Sequence, residues 1–449
     1  MKNVLARYWW SAATFLEARS AARLPWRTAA QWQERQALRV RSMVRHAYAT
    51  VPHYREAMQA QGLTPADFST AGSLRQLPLV SGAELASDPG RFYSSSYGTN
   101  DTLTLHSSGT GGRPKAVRYD RGALFEALAH GQRQRAVLTA FTGRPSGYRE
   151  LAILRQESVA TQMRRFYEER LWVPRRLDLQ RSVVPMELPF DELLRRIDAF
   201  RPDVLLGYGA HLGALLRWAW QQGREFHRPA VAWYGADAMP PADRELVERE
   251  LGIPVLSTYQ ADEALRIAFQ CERRAGFHLH VDDVAVRVLT ADGREAGPGE
   301  RGEIVISNLA NRATVLLNYR LGDIVRLSPD ACDCGRMLPT LESIEGRADD
   351  LLTLPGGESR HALSFIAPIQ AVPGVVQAQL VQESSGELSV RLVCAGGSDW
   401  SAIESAVMER VRDRVGPDMV VEVRRVERIP LEPGGKTRAL INRLDSRNA

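Results

Sequence analysis

The chain has 449 residues, 44% hydrophobic and 25% charged, with 58 Lys and Arg against 53 Asp and Glu for a net charge of +5. That length exceeds the roughly 250–300 residues at which a single core stops growing, so at least two domains are expected, and the ordinary composition excludes a chain dominated by disorder. The charge excess is mild and forms no basic run, which argues against nucleic acid as a partner and suits an anionic substrate.

The start, MKNVLARYWWSAATFLEARS, lacks the uninterrupted apolar core and cleavage site of a secretory signal, and nowhere do 18 apolar residues run together. No membrane span is expected, and the cytoplasm is the expected compartment. The four cysteines, Cys271, Cys332, Cys334 and Cys394, are expected to form no disulfides there. Leu5, Tyr8, Trp9, Ala12 and Leu16 recur at helical spacing beside Lys2, Arg7 and Arg19. Such a stripe fits a helix lying in a membrane interface or a helix packed on its own domain; packing is the expectation, and no membrane partner is expected.

Residues 1–80 read as mostly helical, with one long periodic stretch over 28–61 that stops at Gly62. From residue 102, TLTLHSSGTGGRPKAVRYD reads as strand, glycine-rich loop, strand. Over 120–260, short apolar runs (150–155, 203–209, 230–237, 254–259) alternate with helical stretches, the pattern of parallel strands joined by crossover helices. Between 284 and 307, Asp-Gly separates two alternating runs and signals a hairpin. The last hundred residues read as helix, strand, turn, strand, then a helix with Ile403, Val407, Val411 and Val415 on one face, then the strand VVEVRRVERIP. The expected fold is α/β: a large N-terminal domain, 1–346, with mixed and parallel sheets and helices, and a small mobile α+β domain, 347–449.

The densest chemical signal is Ser107-Ser108-Gly109-Thr110-Gly111-Gly112-Arg113-Pro114-Lys115. Three glycines allow close backbone approach, turns of this kind make N–H nests for anions, and the hydroxyls and lysine add donors and charge, so a polyphosphate is the expected occupant. It is not a Walker A loop, because Pro114 stands before the lysine. Near the C-terminus Gly435-Lys436-Thr437 imitates the end of such a loop, but Pro430 occupies the position that must be glycine. Tyr259-Gln260-Ala261-Asp262-Glu263 ends a predicted strand in two carboxylates, which suit Mg²⁺, a cation that prefers oxygen ligands. Tyr319-Arg320-Leu321-Gly322-Asp323 ends another, its carboxylate able to accept from ribose hydroxyls. Gly346-Arg347-Ala348-Asp349-Asp350 lies at the expected boundary. Each of these alone is as readily a turn or a surface ion pair.

Taken in order, SSGTGGRPK, YQADE, YRLGD, GRADD and PLEPGGKTR resemble the adenylate-forming superfamily of acyl-CoA ligases, peptide-synthetase adenylation domains and luciferases, over about residues 100–440. HAYATVPHYREAM, LRQLPLV and the C-x-C-G-R segment resemble its phenylacetate-CoA ligase branch. The resemblance implies ATP and Mg²⁺ as cofactors. Thr110 and Lys115 would meet the β- and γ-phosphates within the loop from Ser107 to Gly112, and Gly235, Ala236 and Asp237 would lie along the adenine. Tyr259 would stack on it, Glu263 would bind Mg²⁺, and Asp323 would hold the ribose with Arg347 close by. Asp349 matches the hinge, and Lys436 matches the lysine that serves adenylation before the small domain rotates. Gly111, Gln260, Asp262 and Leu321 depart from the usual residues, and Asp262 adds a charge beside the nucleotide.

Cys271, His278, Cys332 and Cys334 offer the donor set of a structural zinc site, with His280 an alternative nitrogen; some members of the branch use such a site. Cys394 is expected to be buried in a strand. Tyr208, His211, Trp233 and Tyr234 are expected to line an acid pocket and incline it toward an aryl or arylalkyl acid. The expected activity is activation of that acid as its acyl-adenylate and transfer to a thiol, of CoA or a carrier protein. A homodimer is compatible with this reading. An amine acceptor or a non-catalytic nucleotide-binding partner are the competing readings, separated by pyrophosphate release and by the choice of acceptor.

Overall fold

The computed structural model describes residues 2–107, 115–172, 180–430 and 438–444. Its mixed α/β chain divides into two compact units. One holds residues 1–150, 155–181 and 256–344; the other holds 151–154, 182–255 and 345–449.

The first unit begins with helices Lys2–Arg23, Ala29–Thr50 and Pro52–Ala60. Thr28 and Gln31 form a capping box that starts the second. The single helix expected over 28–61 is two, because Val51 precedes a proline and takes an extended backbone. Val40, Met43, Val44 and Ala47 form the buried face of Ala29–Thr50. Tyr54 is fully buried; its hydroxyl accepts from the Leu317 N–H at 2.7 Å and donates to the Val315 carbonyl at 3.2 Å, fastening the third helix to the loop before the 319 strand.

The first helix reverses its expected packing. Leu5, Tyr8, Trp9 and Leu16 are exposed rather than buried, and the side turned inward carries Trp10, Thr14, Glu17 and Ala21. Glu17 enters a largely buried ionic network with Arg35 at 2.7 Å and His130 at 3.2 Å. His130 also bonds Asp283 at 2.7 Å, Arg133 grips Asp282 through both terminal nitrogens at 2.7 and 2.8 Å, and Arg39 pairs with Glu126. Burial pushes His130 down, but Asp283 and Asp282 outweigh it and hold the ring near 9, so it is charged at neutral pH. Four cations then face four carboxylates, the condition under which so many charges survive burial.

Seven strands of this unit lie side by side in the order Val284–Leu289, Arg301–Asn308, Tyr319–Leu327, Thr340–Arg347, Phe277–Leu279, Ala268–Phe269, Val255–Tyr259. The two alternating runs around Asp-Gly pair antiparallel, as the hairpin read from the chain requires. Gly293 closes a turn onto Thr290, and the strand that pairs with Val284–Leu289 starts only at Arg301. Arg301–Asn308 shifts register against Tyr319–Leu327 around Gly322, whose φ of +81° suits glycine. Thr102–Ser107 and Lys115–Asp120 form a separate antiparallel pair in which Ser107 faces Lys115.

In the second unit, strands Val231–Gly235, Val204–Tyr208, Arg149–Leu154 and Gln180–Pro185 are neighbours in that order. The first two run parallel and are followed by helices Pro241–Arg249 and Gly209–Gln221, the crossover pattern read from the chain. A four-stranded mixed sheet, Val420–Arg425, Glu387–Cys394, Val375–Ser384, Leu440–Asn442, is packed with helices Leu363–Gln370 and Trp400–Val415. Ile403, Val407, Val411 and Val415 enter its core as their spacing requires. Cys394 is half-buried against that core rather than fully enclosed.

Candidate functional site

Lys115 opens its strand at the point where the paired strands flank the glycine-rich loop; Ser108, Gly109, Thr110, Gly111 and Gly112 lie outside the described residues. Nothing is described of the Ser107 side chain, which closes the strand on the other side. The Lys115 ammonium donates to Glu263 Oε1 at 2.6 Å and to the Tyr319 hydroxyl at 3.1 Å, and that hydroxyl donates to the same Oε1 at 3.0 Å. All three side chains are buried. Burial pushes the Glu263 carboxyl up, but the Lys115 charge and hydrogen bond, with help from Tyr319, outweigh it and hold the group below the usual carboxylate range. The site therefore keeps an ionised carboxylate and an ammonium in contact, shielded from water. Asn308 fixes the Glu263 backbone by donating to its carbonyl at 2.9 Å.

Gly82, at the start of the short helix Gly82–Ser87, lies beside this triad: an added Cβ would meet the Tyr319 hydroxyl at 3.3 Å and the Lys115 ammonium at 3.4 Å. Tyr319 and Gly82 were not singled out for this role in the sequence. The tyrosine opens the YRLGD segment, but only its aspartate suggested chemistry, and nothing in the order of residues shows that 115, 263 and 319 converge.

Tyr259 and Asp323 meet through a hydroxyl–carboxylate hydrogen bond of 2.5 Å. Asp323 lies inside the strand Tyr319–Leu327, not at its end as expected, one residue beyond the Gly322 irregularity. Asp262 is half-buried, and its backbone carbonyl accepts from the Tyr119 hydroxyl at 2.8 Å. No helix follows it; residues 262–264 form a turn.

The second unit gathers a different group. Val204–Tyr208 and Val231–Gly235 pair with Tyr208 opposite Gly235. Ala236 takes φ of +70°, a left-handed backbone costly for alanine, and the next residue, Asp237, accepts from the Gly209 N–H at 2.5 Å. This turn joins the ends of both strands. Tyr208 and Tyr234 are buried in one core cluster, whereas Trp233 is half-buried and projects from the opposite face of its strand to Tyr234. His211 is pushed down to about 4 by burial alone, so its ring is neutral at pH 7. Its Nε2 is buried with no hydrogen-bond partner among the described residues, an arrangement that costs roughly 1–3 kcal/mol while it stays unpaired. In the same unit Arg347 and Asp349 pair with each other at 3.4 Å, and the Arg347 carbonyl meets His361 Nε2 at 2.9 Å. Lys436 lies outside the described residues.

Cys271, His278, Cys332 and Cys334 converge, with their ligand atoms all within 4.8 Å of one another. The Cys271 and Cys332 sulfurs are 3.7 Å apart, and the Cys334 sulfur is 3.4 Å from His278 Nε2. Tetrahedral zinc with bonds of about 2.3 Å to sulfur and 2.0–2.1 Å to nitrogen needs edges of about 3.4–3.8 Å, so the donor set fits. His280 is not among the four; its Nδ1 is held by Arg133 at 2.8 Å in the ionic network. Arg336 supports the cluster: its N–H bonds the Cys334 sulfur at 3.5 Å, and its guanidinium pairs with Glu272 at 2.8 Å over the Trp26 ring.

Comparison with known proteins shows what the chain resembles. Residues 356–443 match the family model described as the CapK C-terminal domain. The phenylacetate-coenzyme A ligase of Escherichia coli (strain K12) is 27% identical over 336 residues, spanning 72% of this chain and 73% of that protein. That of Thermus thermophilus is 25% identical over 458 residues, spanning 90% and 95%. The crystal structure of 2-hydroxyisobutyryl-CoA ligase in the postadenylation state, in complex with R3-HIB-AMP, superposes with a TM-score of 0.72 at 18% identity, covering 94% of this chain and 91% of that one. The fold is that of the adenylate-forming CoA ligases, and the resemblance to the phenylacetate-CoA ligase branch is borne out.

Proposed function

We propose, from this relatedness and from the buried Lys115–Glu263–Tyr319 triad, that the chain is an AMP-forming acid–thiol ligase acting on a small aryl or arylalkyl carboxylic acid. The triad carries the reading: a shielded ammonium and an ionised carboxylate beside a glycine-rich loop suit a triphosphate and its metal. In the first step a carboxylate oxygen of the acid attacks the α-phosphorus of ATP, an acyl–phosphate bond forms, and the bond to pyrophosphate breaks. A thiolate then attacks the acyl carbon and AMP leaves. Lys115 would neutralise the departing phosphates, Glu263 would hold Mg²⁺ through a hard oxygen donor, and Asp323 would hold the ribose. Mg²⁺ bound there would supply further charge neutralisation on the triphosphate. Tyr208 and Tyr234 would give the acid an aromatic surface, Trp233 being turned to the other face of its strand, and the unpartnered His211 nitrogen would offer it a hydrogen bond. Residues 347–449 would act as the small mobile domain that brings Lys436 to the first step, turning about Asp349.

Acid-dependent exchange between ATP and labelled pyrophosphate, run over a panel of aryl, arylalkyl and aliphatic acids, tests the first step. CoA, a carrier protein and amines added to the responsive acid then identify the acceptor. Exchange with none of the acids would sink the proposal.

The four-ligand cluster is proposed as a structural zinc site. Metal analysis of the purified chain is expected to find one zinc per chain, and chelation is expected to lower the thermal midpoint, because such sites are coupled to folding. A fully folded, active preparation without zinc would remove the assignment.

Asp262→Thr is expected to shift either the Mg²⁺ requirement or the acid preference by roughly tenfold, the size of about 1.4 kcal/mol from one charge moved near the nucleotide. Mg²⁺ titration and acid profiling of both proteins check this; unchanged curves in both would show that Asp262 acts on neither.

A further inference from the structure

The helix Lys2–Arg23 presents the wrong side of itself to solvent for a helix whose only task is packing. Its inward side is made of small or polar residues and one aromatic, Trp10, which stacks on Phe125 at 4.3 Å between ring centroids. Its outward side carries Leu5, Tyr8, Trp9, Phe15 and Leu16, with Leu5, Trp9 and Leu16 exposed to 71%, 61% and 67%. Positions 5, 8, 9, 12, 15, 16 and 19 fall on one side of a 3.6-residue helix, so these side chains form one stripe. Trp172 extends it: the ring lies 5.7 Å from that of Tyr8, and its backbone N–H donates to Ser11 Oγ at 2.9 Å. The Arg7 guanidinium, which donates to the Leu171 carbonyl at 2.8 Å, holds the two segments together. Single exposed apolar residues are ordinary; a contiguous aromatic and aliphatic patch of this kind marks an interaction surface.

Charge selects the occupant. The helix sequence carries Lys2, Arg7, Arg19 and Arg23 against one acid, Glu17, and Glu17 is turned inward to Arg35 and His130. Arg19 lies over the Phe15 ring at 5.7 Å, at the edge of the stripe. The exposed side of the helix is therefore apolar with a basic border and no carboxylate. Two copies of the chain joined through this face would bring like charges together with no acid on the helix to offset them. An anionic lipid surface meets both halves of the pattern: tryptophan and tyrosine settle at headgroup depth, leucine and phenylalanine reach the acyl boundary, and arginine and lysine are drawn to the lipid charge. Among the described residues no helix is long and apolar enough to cross a membrane, so this helix would lie in the surface.

We propose that the outward face of Lys2–Arg23, with Trp172, seats the protein on the surface of a membrane containing anionic lipid. Co-sedimentation of the full chain with vesicles tests this, using phosphatidylcholine alone and phosphatidylcholine with about one third phosphatidylglycerol. The chain is expected to pellet with the anionic vesicles and at least about tenfold less with the neutral ones, and added salt should weaken the association. The double substitution Trp9→Asp and Leu16→Asp is expected to lower partitioning at least about tenfold while leaving the thermal midpoint unchanged, since both side chains are exposed. Arg19→Glu should weaken binding to anionic vesicles only. A chain that stays in the supernatant with both vesicle types, or binding indifferent to the double substitution, would overturn the proposal. So would a vesicle-free dimer that the double substitution dissolves, which would assign the face to self-association.

Discussion

Lys115→Met will lower acyl-adenylate formation at least about a hundredfold and will also destabilise the fold, by about 3–5 kcal/mol. The two losses have different origins. The first, on the proposed mechanism, would be the removal of a positive charge from the place where pyrophosphate develops and leaves. The second arises because Glu263, buried and held ionised by this lysine at 2.6 Å, is left without its cation. The double substitution Lys115→Met with Glu263→Gln separates them: it should recover most of the stability and none of the activity, because a neutral amide can bond the Tyr319 hydroxyl without a buried charge. Denaturant unfolding and acid-dependent pyrophosphate release, measured on the two single and the double variants, give the full cycle. A stability loss below about 1 kcal/mol for Lys115→Met would mean that Glu263 is reached by water or by another cation.

Lys436→Ala should cost the adenylation step about 10²–10³ in rate, the effect of removing one donor aimed at developing charge, and leave folding intact. Thioester formation from synthetic acyl-adenylate should change far less. The contrast is the sharpest consequence of the proposed domain rotation, since a lysine serving a single step must be displaced in the other. Equal losses in both half-reactions would contradict that account.

The parts of this protein that could be read from its sequence are those fixed by local spacing. The period through Ile403, Val407, Val411 and Val415 specified both a helix and its buried side. The alternating residues around the glycine-rich loop gave two strands, and the Cys–His set converges as its donor types suggested, whereas Glu263 was singled out from its neighbour Asp262 only through the family resemblance. Three features were not legible, for three reasons. Tyr319 joins Lys115 and Glu263 only through tertiary convergence across 204 and 56 residues of chain, where its own segment pointed to Asp323. The first helix misled because periodicity detects a stripe but not which side of the helix the rest of the protein covers. Small residues and an inward glutamate made the true packing face look polar. The break at Val51 was visible in principle, since Pro52 disfavours a helical residue before it, but the strong period on both sides masked it.

The stretch from Gly207 to Gly213 also limits how this protein can diverge. A Cβ at Gly207 would stand 2.9 Å from the Leu212 side chain, at Gly209 2.4 Å from the Met239 backbone nitrogen, and at Gly213 2.6 Å from the Asp243 carboxylate that Arg217 engages. Two of these approaches meet neighbours that a new methyl group has little room to displace, and the third presses on a buried ion pair. With the acid pocket proposed here, a lineage that changes its acid would not do so by decorating these glycines. It would work through the side chains between them, Tyr208 and His211, and descendants with quite different preferences would keep the same three bare positions.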